Sequence, residues 1–408
     1  MRTCFVTEFF YPDQGSTPKQ LSQLARYLKD HYPDLEIDAV TSRNLYRRKD
    51  RLAPFEDWDG IAIHRLSTPP SNRYPAALRL LAGLWFSRAA ARKLRGKGYD
   101  LLAVGTNPPS LPMAALAHKR LCGTPYVYVI HDLYPDIATA VNAVSRHSPV
   151  TRLARKLQKR WLHEAARVVV LGRCMRDHLK TDYQLPDERI EVICNWADPE
   201  EIPLLPRETG LREEHGLRDR FVVLYSGNLG WSHCVKEMVD AAALIERARG
   251  DVSFVLVGDG ARREDIVRYV KSKSLSCLMM LRPVASQDYP DLLASADVSL
   301  VSLGADADGL AVPCKFYSCL AAGRPIIGML DERSGVARVL QESECGMQVA
   351  PGHPEQLAEA ILALCDSPDA ANRMGANARK ALVERFTLRH AAERYYDVFS
   401  ASAARAGI

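Results

Sequence analysis

Short runs of apolar residues alternate along this chain with longer stretches in which apolar positions recur every three or four residues. Compact apolar runs bounded by turn residues read as buried strands, and the longer periodic stretches as helices with one apolar face. The strands predicted in the first half are Thr3–Thr7, Ile37–Thr41, Ala62–Arg65, Leu101–Gly105, Tyr126–His131 and Arg167–Leu171. In the second half they are Val222–Ser226, Ser253–Val257, Met279–Leu281, Val298–Val301 and Pro325–Met329. Helices are predicted over Thr17–Asp30, Val150–Glu164, Cys234–Ala248 and Pro354–Cys365. Strands alternating with helices in this way form βαβ units, so the fold class is α/β, with parallel sheets covered on both faces.

The register changes at Ile193-Cys194-Asn195-Trp196-Ala197-Asp198-Pro199, where a charged, proline-bearing stretch separates two series of such units. The 408 residues exceed the roughly 250–300 at which single cores stop growing, so two domains are expected, 1–198 and 199–387. Open α/β sheets bind ligands outside the carboxyl ends of their strands, which places the expected chemistry in a cleft between the two domains. The tripeptide Tyr-Pro-Asp recurs at 11–13, 32–34, 134–136 and 289–291 with irregular spacing; it reads as a turn opener, not a repeat.

Composition narrows the class. The ten cysteines include no C-x-x-C pair and read as reduced, mostly buried thiols. The first residues carry no export signal, and the longest apolar stretch, Tyr74–Ser87, contains Arg79 and falls short of the roughly 20 residues of a membrane span. A cytoplasmic protein is expected. Residues 1–198 hold 30 basic and 20 acidic residues, whereas the remainder hold 24 and 29, so the +5 net charge hides a basic first half. Two readings of that half stand: an anionic partner such as a membrane surface or phosphorylated acceptor, or an ordinary solvated face.

Several strand ends carry candidate chemistry. After the first strand, a loop bearing Gly15 and Ser16 opens a helix, a place where backbone N–H groups can meet a phosphate or simply cap a turn. Val257-Gly258-Asp259-Gly260 also leads from strand to helix, but Arg263 stands where a dinucleotide fingerprint needs its third glycine, so a tight turn admitting a ligand is expected rather than NAD binding. Asp306-Ala307-Asp308 has a D-x-D form able to hold a divalent ion on a diphosphate, yet its Gly/Ala/Asp surroundings favour a solvated loop. His131-Asp132 brings an imidazole and a carboxylate to the end of a buried strand.

The block Pro313-Cys314-Lys315-Phe316-Tyr317-Ser318-Cys319-Leu320-Ala321-Ala322-Gly323-Arg324-Pro325 resembles retaining glycosyltransferase family 4, in its bacterial polysaccharide and cell-surface branches. Leu224-Tyr225-Ser226-Gly227-Asn228, Val257-Gly258-Asp259-Gly260, Ile130-His131-Asp132 and the Tyr11-Pro12…Gly15 loop agree with it in family order. The resemblance implies a GT-B fold of two Rossmann-like domains with parallel sheets facing across a cleft, the C-terminal helix at about 388–408 packing back on the first. It implies metal-independent retaining transfer from a nucleotide-sugar, UDP favoured and GDP the alternative, with no other cofactor and no nucleic acid. Carried over by residue, Gly15 and Ser16 lie near the transferred sugar and diphosphate. His131 faces the sugar with Asp132 beside it. Ser226, Gly227, Asn228 and Gly258 approach the diphosphate, and Pro283 and Val284 meet the base. Pro313, Cys314, Lys315 and Ser318 hold the diphosphate and ribose.

Two departures qualify the resemblance. The family's Arg and Lys after the Ser226–Leu229 segment are reduced to a distant Lys236, and its paired glutamates fall on Leu310 and Ser318. Lys315 is expected to supply part of the missing charge. A sugar-nucleotide epimerase of the same fold and a donor-binding pseudoenzyme remain the alternatives. For the acceptor, the basic patch Arg43-Asn44-Leu45-Tyr46-Arg47-Arg48-Lys49 and the helix with Arg152, Arg155, Lys156, Lys159 and Arg160 suit a polyprenyl-diphosphate-linked saccharide at an anionic membrane surface. The segment Leu78–Phe86 is either an apolar foot on that surface or a buried helix.

Overall fold

The computed structural model describes residues 1–46, 50–69 and 76–404. Arg47, Arg48 and Lys49 of the basic patch, and the first two residues of the 74–87 stretch, lie outside the described residues. The chain divides into one unit of Met1–Asn195 with the segment from Leu388 onward, and a second of Trp196–Thr387. The division falls at Asn195/Trp196, three residues before the expected one.

The first unit is an eight-stranded sheet: β1 (Arg2–Val6), β2 (Glu36–Ser42), β3 (Phe55–Trp58), β4 (Ile61–Leu66), β5 (Leu101–Val104), β6 (Tyr126–Ile130), β7 (Arg167–Val170) and β8 (Ile190–Val192). Their order is β3-β4-β2-β1-β5-β6-β7-β8. Every neighbouring pair is parallel, as expected, except β3 with β4, an added antiparallel edge. The missed strand is the first arm of a hairpin closed by Asp59-Gly60, both at positive φ, the geometry an Asp-Gly turn adopts between paired strands. β6 is buried throughout because helices cover both faces; Tyr126 donates its hydroxyl proton to the Trp161 carbonyl at 2.5 Å, which satisfies the one polar atom it takes inside. The final helix, Leu388–Ala404, belongs to this unit: Phe399 meets Phe5 edge-on at 5.9 Å, and Tyr396 stacks on Tyr32 at 3.9 Å.

The second unit is a wholly parallel six-stranded sheet: β9 (Phe221–Asn228), β10 (Val252–Asp259), β11 (Leu278–Leu281), β12 (Val298–Ser302), β13 (Ile326–Met329) and β14 (Gly346–Val349), in the order β11-β10-β9-β12-β13-β14. Strand order reverses direction at β1/β5 in the first unit and at β9/β12 in the second. Loops diverge at such switch points and leave a crevice at the carboxyl ends of the strands. At the other end of the second sheet, the buried Arg212 guanidinium pairs with Asp297 and donates to the Ser295 carbonyl at 2.9 Å, while Asp297 accepts from the Val222 amide at 2.7 Å. That lock fixes β9 and β12 side by side beneath the crevice.

Candidate functional site

In the second unit the site is built around one lysine. The Pro313-Cys314 turn ends the loop after β12 and starts the helix Lys315–Ala322, which places Lys315 at the helix N-terminus on the switch-point crevice. Its Nζ donates to the Tyr225 hydroxyl at 2.6 Å and lies 4.0 Å from the centre of that ring. The hydroxyl in turn donates to the Asn228 carbonyl at 2.8 Å. The lysine reaches this position only because residue 227 is glycine: a Cβ there would overlap both Cε and Nζ. Gly258 on β10 is required for a similar reason, since a Cβ would run into the Gly227 carbonyl. Burial pushes the Lys315 ammonium down to about 7. His233 Nδ1 sits 2.8 Å from the Ser302 carbonyl, and burial, then the nearby Lys315, push this imidazole down to about 3, so it is neutral and donates there. The lysine ammonium and the N-terminal amides of its helix put positive charge together at this end of the sheet.

The other predicted residues of this unit surround that point at different distances. Ser226 and Asn228 end β9, with Asn228 exposed. Ser318 lies one turn along the Lys315 helix, and the half-buried Tyr289 near this end of the sheet has its hydroxyl pushed up to about 12 by burial. Pro283 and Val284 follow β11, two strands from β9 and so about 10 Å across the sheet. Leu310, at one of the two glutamate positions, is buried. Lys236 is elsewhere: its ammonium lies 5.1 Å over the Tyr269 ring. Asp306 is exposed in the loop after β12, and among the described residues no three His, Cys, Asp or Glu are grouped to hold a metal.

In the first unit, His131 follows β6 and is buried, with no hydrogen-bond partner for Nδ1 among the described residues; burial pushes it down to about 4 and pushes its neighbour Asp132 up to about 6. Gly15 precedes the helix Ser16–His31, and its amide donates to Asp13 at 3.0 Å while Ser16 is exposed. Gly15 has ordinary extended backbone angles and room for a side chain, so neither strain nor packing demands glycine there. β5 alone separates β1 from β6, about 10 Å across the sheet, so the Gly15-bearing loop and His131 both leave the carboxyl ends of nearby strands.

Three residues at these strand ends escaped the sequence reading. Tyr225 was visible only as part of a motif, and His233 stood in the place of an expected cation without a pattern of its own. Tyr289 belongs to a Tyr-Pro-Asp tripeptide read as a turn. A fourth, Arg262, stacks on the exposed Trp231 at 4.9 Å and donates its amide to the Leu229 carbonyl at 3.0 Å, adding positive charge beside the end of β9.

Comparison with known proteins agrees with this architecture. Residues 17–196 match the model of the glycosyl transferase 4-like domain, and residues 220–367 match that of glycosyl transferases group 1. The probable glycosyltransferase WbjE of Pseudomonas aeruginosa is 28% identical over 306 residues, 73% of this chain and 74% of the relative. The alpha-D-kanosaminyltransferase of Streptomyces kanamyceticus is 25% identical over 322 residues, 78% of this chain and 81% of the relative. The crystal structure of Anabaena HepE in complex with UDP-glucose superposes with a TM-score of 0.74 at 17% identity, covering 98% of this chain and 100% of that one. One family model falls in each unit, in the order expected from the motifs, and the chain belongs to the family 4 type of glycosyltransferases with the GT-B fold.

Proposed function

We propose that this glycosyltransferase moves a hexosyl group, with retention at the anomeric carbon and without a metal, from a UDP-sugar to a saccharide acceptor of a bacterial surface polysaccharide carried on a lipid diphosphate. The observation that carries the reading is Lys315, half-buried at a helix N-terminus and bonded to the Tyr225 hydroxyl, where a diphosphate would meet the ammonium, the helix amides and the Gly227 backbone together. HepE, which shares the fold, is solved with UDP and with UDP-glucose, which favours uridine over guanosine. Ser318 with Tyr289 would meet the ribose hydroxyls in place of the family's carboxylate, and the loop at Pro283 and Val284 the base.

In front-face retaining transfer the departing phosphate oxygen takes the acceptor's proton, so the protein's task is to position the sugar and stabilise charge on the leaving diphosphate. His131, neutral at physiological pH, would hold a sugar hydroxyl, with Asp132 and the Gly15–Ser16 loop at the same carboxyl end of its sheet. The test is a panel of nucleotide sugars with lipid-linked saccharide acceptors. UDP released only in the presence of acceptor, with an α-linked product from an α-linked donor, is expected. Sugar isomerisation without an acceptor would make the chain an epimerase, and tight UDP binding with no turnover on any acceptor a pseudoenzyme.

A further inference from the structure

We propose that one helical face of the first unit docks on an anionic lipid bilayer. The helices Ala76–Leu94, Pro112–Cys122 and Pro149–Glu164 connect β4 to β5, β5 to β6 and β6 to β7. All three crossovers advance the same way across a parallel sheet, so right-handed connections put them on one face, and the middle helix packs against both others.

That face is apolar where it should be polar. On the first helix Leu78, Leu81 and Trp85 are spaced as one stripe and stand half or more exposed, Leu81 at 61% and Trp85 at 62%, with Leu80 and Leu84 alongside. The third helix repeats the spacing with Val150, Leu153 and Leu157, of which Leu153 is 57% exposed. Clustered exposure of this kind on neighbouring helices marks a binding surface, unlike scattered single residues.

Charge decides the occupant. Across the three helices the sequence places eleven lysines and arginines and a single acidic residue, Glu164, which is paired with Lys119 at 3.0 Å. Beside the stripe of the third helix, Leu153, Lys156, Leu157, Lys159, Arg160 and His163 line a groove of about 390 Å³, with basic groups at its rim. An apolar stripe bordered by cations on helices lying along a surface fits the headgroup region of a bilayer, where the stripe enters the acyl boundary and the cations meet phosphates. Among the described residues no helix is long and apolar enough to cross a membrane; the proposed contact is with the near leaflet. The inference deepens the proposal of a lipid-carried acceptor, but its deciding readout, vesicle binding, needs neither donor nor acceptor.

The experiment is co-sedimentation of the full chain with vesicles of phosphatidylcholine, with and without phosphatidylglycerol. Binding is expected only to the anionic vesicles and should weaken as salt rises. Lys156→Gln with Arg160→Gln should lower partitioning about 25-fold, at about fivefold per basic residue. Leu81→Glu with Trp85→Glu should lower it by at least about tenfold, with UDP release on a water-soluble acceptor unchanged. No vesicle binding, or equal salt-insensitive binding to neutral and anionic vesicles, overturns the proposal. Self-association abolished by Leu81→Glu with Trp85→Glu, without vesicle binding, would make the face an interface between copies and also overturn it. Vesicle binding with no transfer would leave the surface intact and remove only the catalytic reading.

Discussion

Replacing Lys315 by Met keeps most of the side chain's length and removes its charge, which isolates the ammonium's work at the diphosphate. A charge-assisted hydrogen bond contributes about 1.5–3 kcal/mol, so UDP affinity should fall about 10- to 100-fold, while uridine, which has no phosphate, should bind as before. The depressed pKa supplies a second signature. Burial lowers the ammonium from its ordinary 10.5 to about 7 in the unliganded protein. At pH 8 a group with that pKa is about nine-tenths neutral, and a bound dianion draws the proton back on. Wild-type protein should then take up about 0.9 proton per UDP at pH 8, where a terminal phosphate with a second pKa near 6 is already fully ionised. Titration calorimetry at pH 8 in Tris and in HEPES, whose ionisation enthalpies differ, reads that number; the Met variant should take up none. The sign for stability runs the other way from an ordinary ion pair. Because the folded pKa is the lower one, the unfolded chain binds the proton first, and the lysine costs stability as pH falls from about 10.5 to about 7. Lys315→Met should therefore melt higher than wild type at pH 7–8 without ligand. Equal weakening toward UDP and uridine would refute the placement of Lys315 on the phosphates; no proton uptake by the wild type would refute its lowered pKa in the unliganded protein.

Gly227→Ala should mimic the lysine variant, because its Cβ would displace the Lys315 ammonium; UDP affinity measured by calorimetry should fall about as far, with the far-ultraviolet spectrum unchanged. His131→Ala should lower kcat by roughly tenfold or more while leaving the Kd for UDP within about twofold, since UDP offers no sugar to hold. With its imidazole pushed down to about 4, His131 stays neutral above pH 6, so kcat should show no inflection near 6.5 that disappears in His131→Ala. EDTA should leave the transfer rate unchanged; loss of activity restored by manganese and absent in Asp308→Ala would instead give the Asp306–Asp308 loop a metal.

Strand and helix periodicity, with one specific block around Pro313–Pro325, was enough to identify an α/β chain of two Rossmann-like units and the family 4 resemblance, because buried parallel strands need near-continuous apolar runs and leave an unmistakable pattern. The elements that escaped it are edge strands. β3 carries Glu56 and Asp57 at its centre, and β8 and β14 are short and only partly buried, so none shows the full apolar run of an interior strand. Among the site residues, Gly227, Gly258 and Lys315 were nameable from motifs, but their reasons were not: both glycines are glycines because another backbone or side chain occupies the space of their Cβ. The sequence supplied a lysine; only the fold put it over Tyr225, half-buried it and brought its pKa to about 7. Likewise, sequence alone left Leu78–Phe86 undecided between a buried helix and an exposed foot. Helical spacing says which residues share a face, but whether that face meets a sheet or solvent depends on what the rest of the chain packs against it, and that is settled only in three dimensions, where Phe86 is buried and Trp85 is not.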